Sequence, residues 1–420
     1  MDITLTQSRL QDYFALRPTN EIGKFMMDKI DKYYEYLISS GKLNLWRKSY
    51  KAYYRGEMRG GRLRKTGRQN EYTVMNVNHY RNFLLHIVNQ TTAQKPTPEP
   101  EAQNSDYESQ AQTILARGAL NYYDSYKHLE RIFKRCAEYS AVYGEGYISL
   151  DFDTKAGSDL IPDNNGIMIK TGDIVFNVLS PVEVVRDIFS TPQNQTWKIV
   201  REMRNKFDLA SKYSSLETEI LKSTFKREQK RLSTFNEVDV ESDMIAVWKL
   251  YHDKTSSVPN GRYVEMLDDA TIIFDGALPY RKIYVPRMSA EDKGGESFGY
   301  TIGFDLLALQ EAYDALCSIV MTNQSNFGVQ NISMPRNSNL TVSSLTDGLN
   351  LIEYDPKAGR GPEGVNLTST SPEIFNFIGM LERIMETISG VNSTVRGNPE
   401  ASLKSGAALA LIASQAIQFN

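Results

Sequence analysis

Residues 371–416 read SPEIFNFIGMLERIMETISGVNSTVRGNPEASLKSGAALALIASQA, and their order of helix, loop and helix sets the reading of the whole chain. Ser371 and Pro372 mark a helix start. Proline suits the first turn, where its missing N–H has no intrahelical partner, and Glu373 faces the positive end of the helix dipole. This helix runs through Ile388 and ends at Gly390. The segment VNSTVRGNPEAS, 391–402, is a loop by composition, and an Ala-rich helix follows it. The last stretch, Lys404 to Asn420, has no Gly at a C-cap position, no Pro and no basic last turn. It reads as a helix interrupted in its course, so the natural chain is expected to continue.

Upstream of Ser371 lies a polar, Gly- and Ser-rich stretch, 331–370, with short apolar strands such as LNLIEYD. Before it, Gly303 to Gln330 forms one long helix, with Phe304, Leu307, Leu309, Ala312, Leu316, Ile319 and Val320 on its apolar positions. The first 302 residues mix helix and strand, so the fold class is α+β. Ile22, Phe25, Met26, Ile30, Tyr33, Tyr34 and Leu37 recur at threes and fours and predict a helix over 20–56. Further helices are expected over 76–94, 107–143 and 207–232. Proline alternation in KPTPEPEAQ forbids helix after the first of these. Strands are expected in YISLDFD, MIKTGDIVFNVLS, PVEVVRD, TWKIVREMRN, DMIAVWKLYHD, RYVEML, TIIFDG and RKIYVPRM, with Asn260-Gly261 marking a hairpin turn.

Lysine and arginine number 48 against 51 aspartates and glutamates, a net charge of -3. Nucleic-acid contact must therefore come from local patches or from a near-neutral channel. Cys136 and Cys317 stand far apart, which excludes a disulfide framework or a clustered zinc site and suits a reducing cytosol. Among His79, His86, His128 and His252 there is no HExxH. The start, MDITLTQSRLQDYF, lacks a basic n-region followed by an apolar h-region, so no signal peptide is expected, and no apolar run has the length of a membrane span.

Chemistry-bearing constellations are scarce. No Cys/His arrangement and no phosphate loop occurs. The GEG at 144–146 lacks the Lys-Ser/Thr of such a loop and follows a helix where nucleotide loops follow a strand, so it reads as a plain turn. Asp151 and Asp153 share one strand face. They invite either a metal, for which a third ligand is lacking, or a solvated strand end; Asp268/Asp269 is a second acidic pair. No catalytic residue, metal or cofactor is expected. The basic stretch 42–68 is interleaved with Trp46, Tyr50, Tyr53 and Tyr54. It supports a nucleic-acid patch with stacking platforms, or an amphipathic helix whose rings face the core and a Gly/Arg loop after it. Helical spacing of the tyrosines favours the second reading.

Several strings in this order resemble the portal proteins of short-tailed bacteriophages. KSYKAYYRG followed by NVNHYRNFLLHIVNQTTAQKPTPEPEAQ is similar to their Tyr-x-Gly segment, Asn-led helix and proline-rich exit. AVYGEGYISLDFD resembles their helix–Gly–x–Gly–strand element. The sharpest match is Ser389, Gly390, Arg396, Gly397, Pro399, Ser405, Gly406, Ala408 and Leu409, which follow the pattern of a stem helix ending in Ser-Gly, then Arg-Gly-x-Pro, then Ser-Gly-x-Ala-Leu.

The resemblance implies a wing over 1–302, a first stem helix 303–330, a clip 331–370, a second stem helix 371–390, a channel (tunnel) loop 391–404 and the start of a crown-leading helix at 405–420, with the crown itself absent. It implies a non-enzymatic dodecameric ring at one capsid vertex of the virion, assembled in the bacterial cytoplasm, through which double-stranded DNA is packaged and ejected. Its partners would be copies of itself, the major capsid protein, scaffolding protein, the terminase large subunit and head–tail adaptor or tail proteins, with no membrane. Asn392, Ser393, Thr394, Arg396, Asn398, Lys404 and Ser405 would lie at or near the lumen. Arg396 would either touch phosphate transiently or pair with a neighbouring subunit's carboxylate. Glu311, Asp314, Glu382 and Arg383 would serve stem contacts or the lumen wall. A nucleic-acid-binding module using 42–68 is the alternative; it would be monomeric or dimeric and release nucleic acid steeply with salt.

Overall fold

The computed structural model describes residues 12–56, 75–93, 99–153, 156–162, 168–190, 194–223, 243–278, 298–327 and 371–391, with the short pieces 287–288, 332–333 and 363–364. The chain mixes helix and sheet, as the α+β reading expects. It opens with α1 (Thr19–Ser39), α2 (Lys42–Tyr50), α3 (His79–Thr91), α4 (Tyr107–Tyr126) and α5 (Leu129–Tyr143). Strands β1 (Gly146–Asp153), β2 (Asp159–Pro162), β3 (Met168–Lys170), β4 (Asp173–Leu179), β5 (Val184–Arg186) and β6 (Trp197–Asn205) follow. After the short helices α6 (Lys206–Lys212) and α7 (Glu217–Lys222) come β7 (Met244–His252), β8 (Arg262–Leu267), β9 (Ile272–Gly276) and β10 (Arg287–Met288). Helices α8 (Ile302–Phe327) and α9 (Pro372–Ser389) complete the described chain, with β11 (Ile332–Ser333) and β12 (Glu363–Gly364) between them.

Strands β5-β6-β7-β8-β9 form an antiparallel sheet in chain order, and β10-β1-β4 a second one. On β7, alternate residues serve opposite faces. Trp248 and Leu250 join the main core with Trp197, Ile199 and Val264, whereas Ile245 and Val247 join Leu209, Ile220 and Leu267 beneath α6 and α7. The main core continues through Ile22, Met26 and Ile30 of α1, Trp46 of α2 and Phe83 and Leu84 of α3 to Leu306 and Leu307 of α8 and Leu381 and Met385 of α9. The last two helices are thereby rooted in the mixed body.

Several boundaries differ from the sequence reading. The helix over 20–56 is two helices, because Gly41 takes a left-handed conformation (φ +75°) after α1; the final turn, Lys51–Arg55, is a π-helix. The helix over 107–143 breaks at His128 (φ +53°), where Lys127 Nζ meets Asp173 Oδ2 at 2.5 Å and pins the corner. Such corners leave the apolar periodicity nearly intact, so periodicity alone does not reveal them. The charged helix over 207–232 is the pair α6 and α7, joined by a 3-10 turn at Ser214–Leu216, and its part beyond Ser223 lies outside the described residues. MIKTGDIVFNVLS is two strands separated by Gly172 (φ +71°). Asn260-Gly261 lies in the turn that joins the antiparallel strands β7 and β8, as expected. His252 pairs with Arg262 across a longer loop, which Gly261 closes with φ +63° and its N–H on Val258 O at 3.0 Å.

Candidate functional site

The long helices α8 and α9 pack on each other, and both touch α3. β11, just after α8, pairs antiparallel with β12, before α9. The chain thus leaves along α8 and returns along α9, with the β11–β12 pair between them in sequence. Helix α9 starts as expected: Ser371 Oγ accepts from Glu373 N at 3.3 Å with Pro372 at the first position, and Gly390 ends it in a left-handed conformation. Val391 beyond it is fully buried in the main core, so whatever follows departs from a fixed point on the body.

Helix α8 carries a buried polar stripe, Gln310, Asp314, Ser318 and Thr322, at intervals of four that place them on one face. Three of them serve the backbone of the segment leading into α3. Gln310 accepts from Tyr80 N (2.9 Å) and donates to Val77 O (2.7 Å). Asp314 Oδ1 accepts from Val77 N (3.1 Å) and from Gln310 Nε2 (2.9 Å). Ser318 Oγ accepts from Met75 N at 3.0 Å. The stripe stands in for a neighbouring strand and satisfies groups that would otherwise be costly to bury. Asn78 caps α3 by accepting from Arg81 N (2.8 Å) and donates to Ala52 O (2.6 Å), so α2, α3 and α8 are joined through one short segment. Asp314 Oδ2 is buried without a hydrogen-bond partner among the described residues, and burial pushes the carboxyl up to about 6.

Of the four predicted stem residues, Asp314 is only 1% exposed, and its partners are the intrachain ones just named. Glu311 meets Lys48 of α2 at 3.1 Å, both partly exposed. Glu382 is half-buried on α9, close enough to Tyr313 to help burial raise that hydroxyl to about 12. Arg383 is exposed. The predicted channel residues Asn392, Ser393, Thr394, Arg396, Asn398, Lys404 and Ser405 lie outside the described residues, as does most of 331–370.

The sequence reading passed over the junction that seats α8. Gly144 ends α5 with φ +88°, and a Cβ there would come within 2.5 Å of Gly299 O. Next to it Glu145 and Arg186, both with fully buried side chains, form an ion pair at 3.1 Å. Glu145 also accepts from Gly299 N (3.3 Å). Arg186 Nε donates to Tyr147 OH (3.0 Å), and its guanidinium lies 4.8 Å from the Phe298 ring centre. Thr301 Oγ1 donates to Ala141 O at 2.7 Å. A charge between two glycines in an apolar run, and an arginine inside VEVVRD, were the available signals; reading GEG as a turn was right for the backbone and silent about the carboxylate.

A cleft of about 700 Å³ lies over the sheet, lined by Asp151, Asp153, Glu202, Arg204, Tyr251, Tyr263 and Glu265 among others. Three of its acids, Asp151, Glu202 and Glu265, already face cations. Lys249 contacts Glu202 and lies 3.4 Å from Asp151, and Arg204 reaches Glu202 (3.2 Å) and Glu265 (3.6 Å). Burial alone would raise the Glu202 carboxyl, but Lys249 and Arg204 hold it below its ordinary value. Asp151 is thus a partner of a buried lysine. Asp268 accepts from Trp248 Nε1 (3.3 Å) and Asp269 from Thr271 N (3.0 Å). Among the described residues no group of three His, Cys, Asp or Glu is placed to hold a metal, and no helix is long and apolar enough to cross a membrane.

In the basic stretch, Trp46 is fully buried and Tyr53 nearly so, while Tyr50 and Tyr54 pack partly buried against the same core. Arg135 lies 5.6 Å from the Tyr54 ring centre. The rings of Trp46 and Tyr53 are therefore unavailable as stacking platforms; residues 57–68 lie outside the described residues. Neither the protein-family models nor the curated proteins compared with this chain gave a match.

Proposed function

We propose that this chain is the subunit of a closed ring that conducts double-stranded DNA, a portal-type protein of a tailed phage. One observation carries the reading: a helical hairpin, α8 and α9, stands rooted in a mixed α+β body, with the β11–β12 pair between its helices in sequence and Val391 buried at its end. In this reading the body is the wing, α8 and α9 are the stem, 331–370 is the clip that meets the terminase and later the tail adaptor, and 391–404 is the channel loop.

Sliding DNA sets an unusual demand. Many fixed Lys/Arg–phosphate contacts release counterions and hold a duplex in place. A near-neutral chain with polar residues such as Asn392, Ser393, Thr394 and Asn398 at the constriction avoids that grip. Arg396 and Lys404, repeated around a ring, supply brief contacts. The role is structural, in the virion at the capsid's portal vertex, and capsid and scaffolding proteins are further partners. Burial of Trp46 and Tyr53 weighs against the rival nucleic-acid module, whose stacking platforms they would have been.

Native mass spectrometry of the purified chain tests the proposal. A discrete species of about twelve copies of 47.7 kDa is the expected result. A monomer or dimer at every concentration and salt would speak for a different function.

A further inference from the structure

Helix α4 turns its larger apolar face away from its own chain. No residue of its 20 is buried. The face turned partly toward the rest of the chain holds Ser109, Thr113, Leu120, Tyr123 and Asp124, so Leu120 is its one large aliphatic side chain. The opposite face carries Tyr107, Ile114, Leu115, Gly118, Tyr122 and Tyr126. Of these, Ile114 is 72% and Leu115 74% exposed, and the Tyr122 and Tyr126 rings stack at 5.1 Å. A surface helix ordinarily turns its main apolar stripe to the core. Mid-helix Gly118 adds to the anomaly. Glycine disfavours helix, and a methyl added here would meet nothing within 4 Å, so no contact within the described chain requires it.

We infer that the apolar stripe of α4 is a docking face for a second copy of this chain. The inference rests on the ring reading and names one of its subunit contacts. Three features choose a second copy. Three tyrosines at ~150–250 Å² each, with Ile114 and Leu115, bring the stripe close to the ~800 Å² per partner of a stable interface. The residues of the stripe are uncharged, and Arg117 is the helix's single cation; a lipid surface or a nucleic acid would call for several. The chain also exposes large apolar side chains elsewhere, Met321 on α8 and Phe375, Phe377 and Met380 on α9. Two unlike exposed apolar faces on one subunit are what head-to-tail contacts need, and such contacts close into rings. At Gly118 the neighbour's chain can approach closely.

The experiment compares the full chain with Ile114→Glu/Leu115→Glu and with Gly118→Leu, by native mass spectrometry over a concentration series, with circular dichroism as a control of folding. Both changes lie on exposed positions, so each variant should keep the parent spectrum. The expected result is a parent that forms rings and variants whose assembly needs at least ~100-fold more protein. A parent dimer lost in both variants would support this face while removing the ring reading. Variants that assemble like a ring-forming parent would overturn the inference and leave the ring reading standing. A parent monomeric at all concentrations would overturn both.

Discussion

Helices α8 and α4 are both long and differ in how they are held. Helix α8 is completed inside its own chain: Leu306 and Leu307 enter the core, and Gln310, Asp314 and Ser318 satisfy the backbone of residues 75–80. Helix α4 has no buried residue and turns Tyr107, Tyr122 and Tyr126 outward. In proteins most helical stability comes from packing of an apolar face and not from propensity. The contrast separates a helix completed by its own chain from one whose apolar stripe, on the inference above, awaits a second copy. Substitutions around α8 should register in the stability of the single chain, and substitutions on α4 should register in assembly.

The largest effect is expected at the junction that seats α8. Arg186→Leu removes the cation that faces the buried Glu145 and should cost about 3–5 kcal/mol of stability, read by urea unfolding. A loss below about 1 kcal/mol would mean that the α8 anchorage lies elsewhere. Gln310→Ala comes next. It strands Tyr80 N and Val77 O and should cost about 2 kcal/mol in the same assay, with little change in folded-state helicity.

Asp314 gives a pH-dependent version of the same comparison. Its folded-state carboxyl is raised from 3.8 to about 6. A raised carboxyl favours folding most fully below its unfolded value, and that contribution is lost as pH rises through about 6. Asp314→Asn removes this titration. The stability of Asp314→Asn relative to the parent should therefore rise between pH 4 and pH 7 by roughly 2 kcal/mol and then level off. A difference that is flat with pH would show that the carboxylate is solvated. The smallest effect is on α4: Gly118→Ala, open to solvent, should stabilise the monomer by about 0.5–1 kcal/mol through helix propensity. A destabilisation would reveal an intrachain contact that the exposed stripe does not show.

Much of this was legible in the sequence, for physical reasons. α9 was readable because Ser371, Pro372, Glu373 and Gly390 are local signals whose effect does not depend on the rest of the fold. The strand runs on β1, β6, β7 and β8 were readable from alternation and β-branched content. The breaks at Gly41 and His128 were not, because a corner between helices leaves periodicity nearly intact. The polar stripe of α8 was also hidden. Its partners are backbone groups some 230 residues away in the chain, and backbone groups carry no sequence signature. Asp314 was picked out for its charge and its helix, but nothing in the sequence shows that its charge is turned toward Val77 N. Glu145 and Arg186 meet across 41 positions of sequence, and only the fold brings them together.

The most direct test of the central claim is negative-stain imaging of the purified full chain, with particles averaged without imposed symmetry. The expected end-on views are closed rings with about twelvefold rotation and a central opening wide enough for a DNA duplex. Particles without an opening, or compact monomers and dimers under all assembly conditions tried, would contradict it.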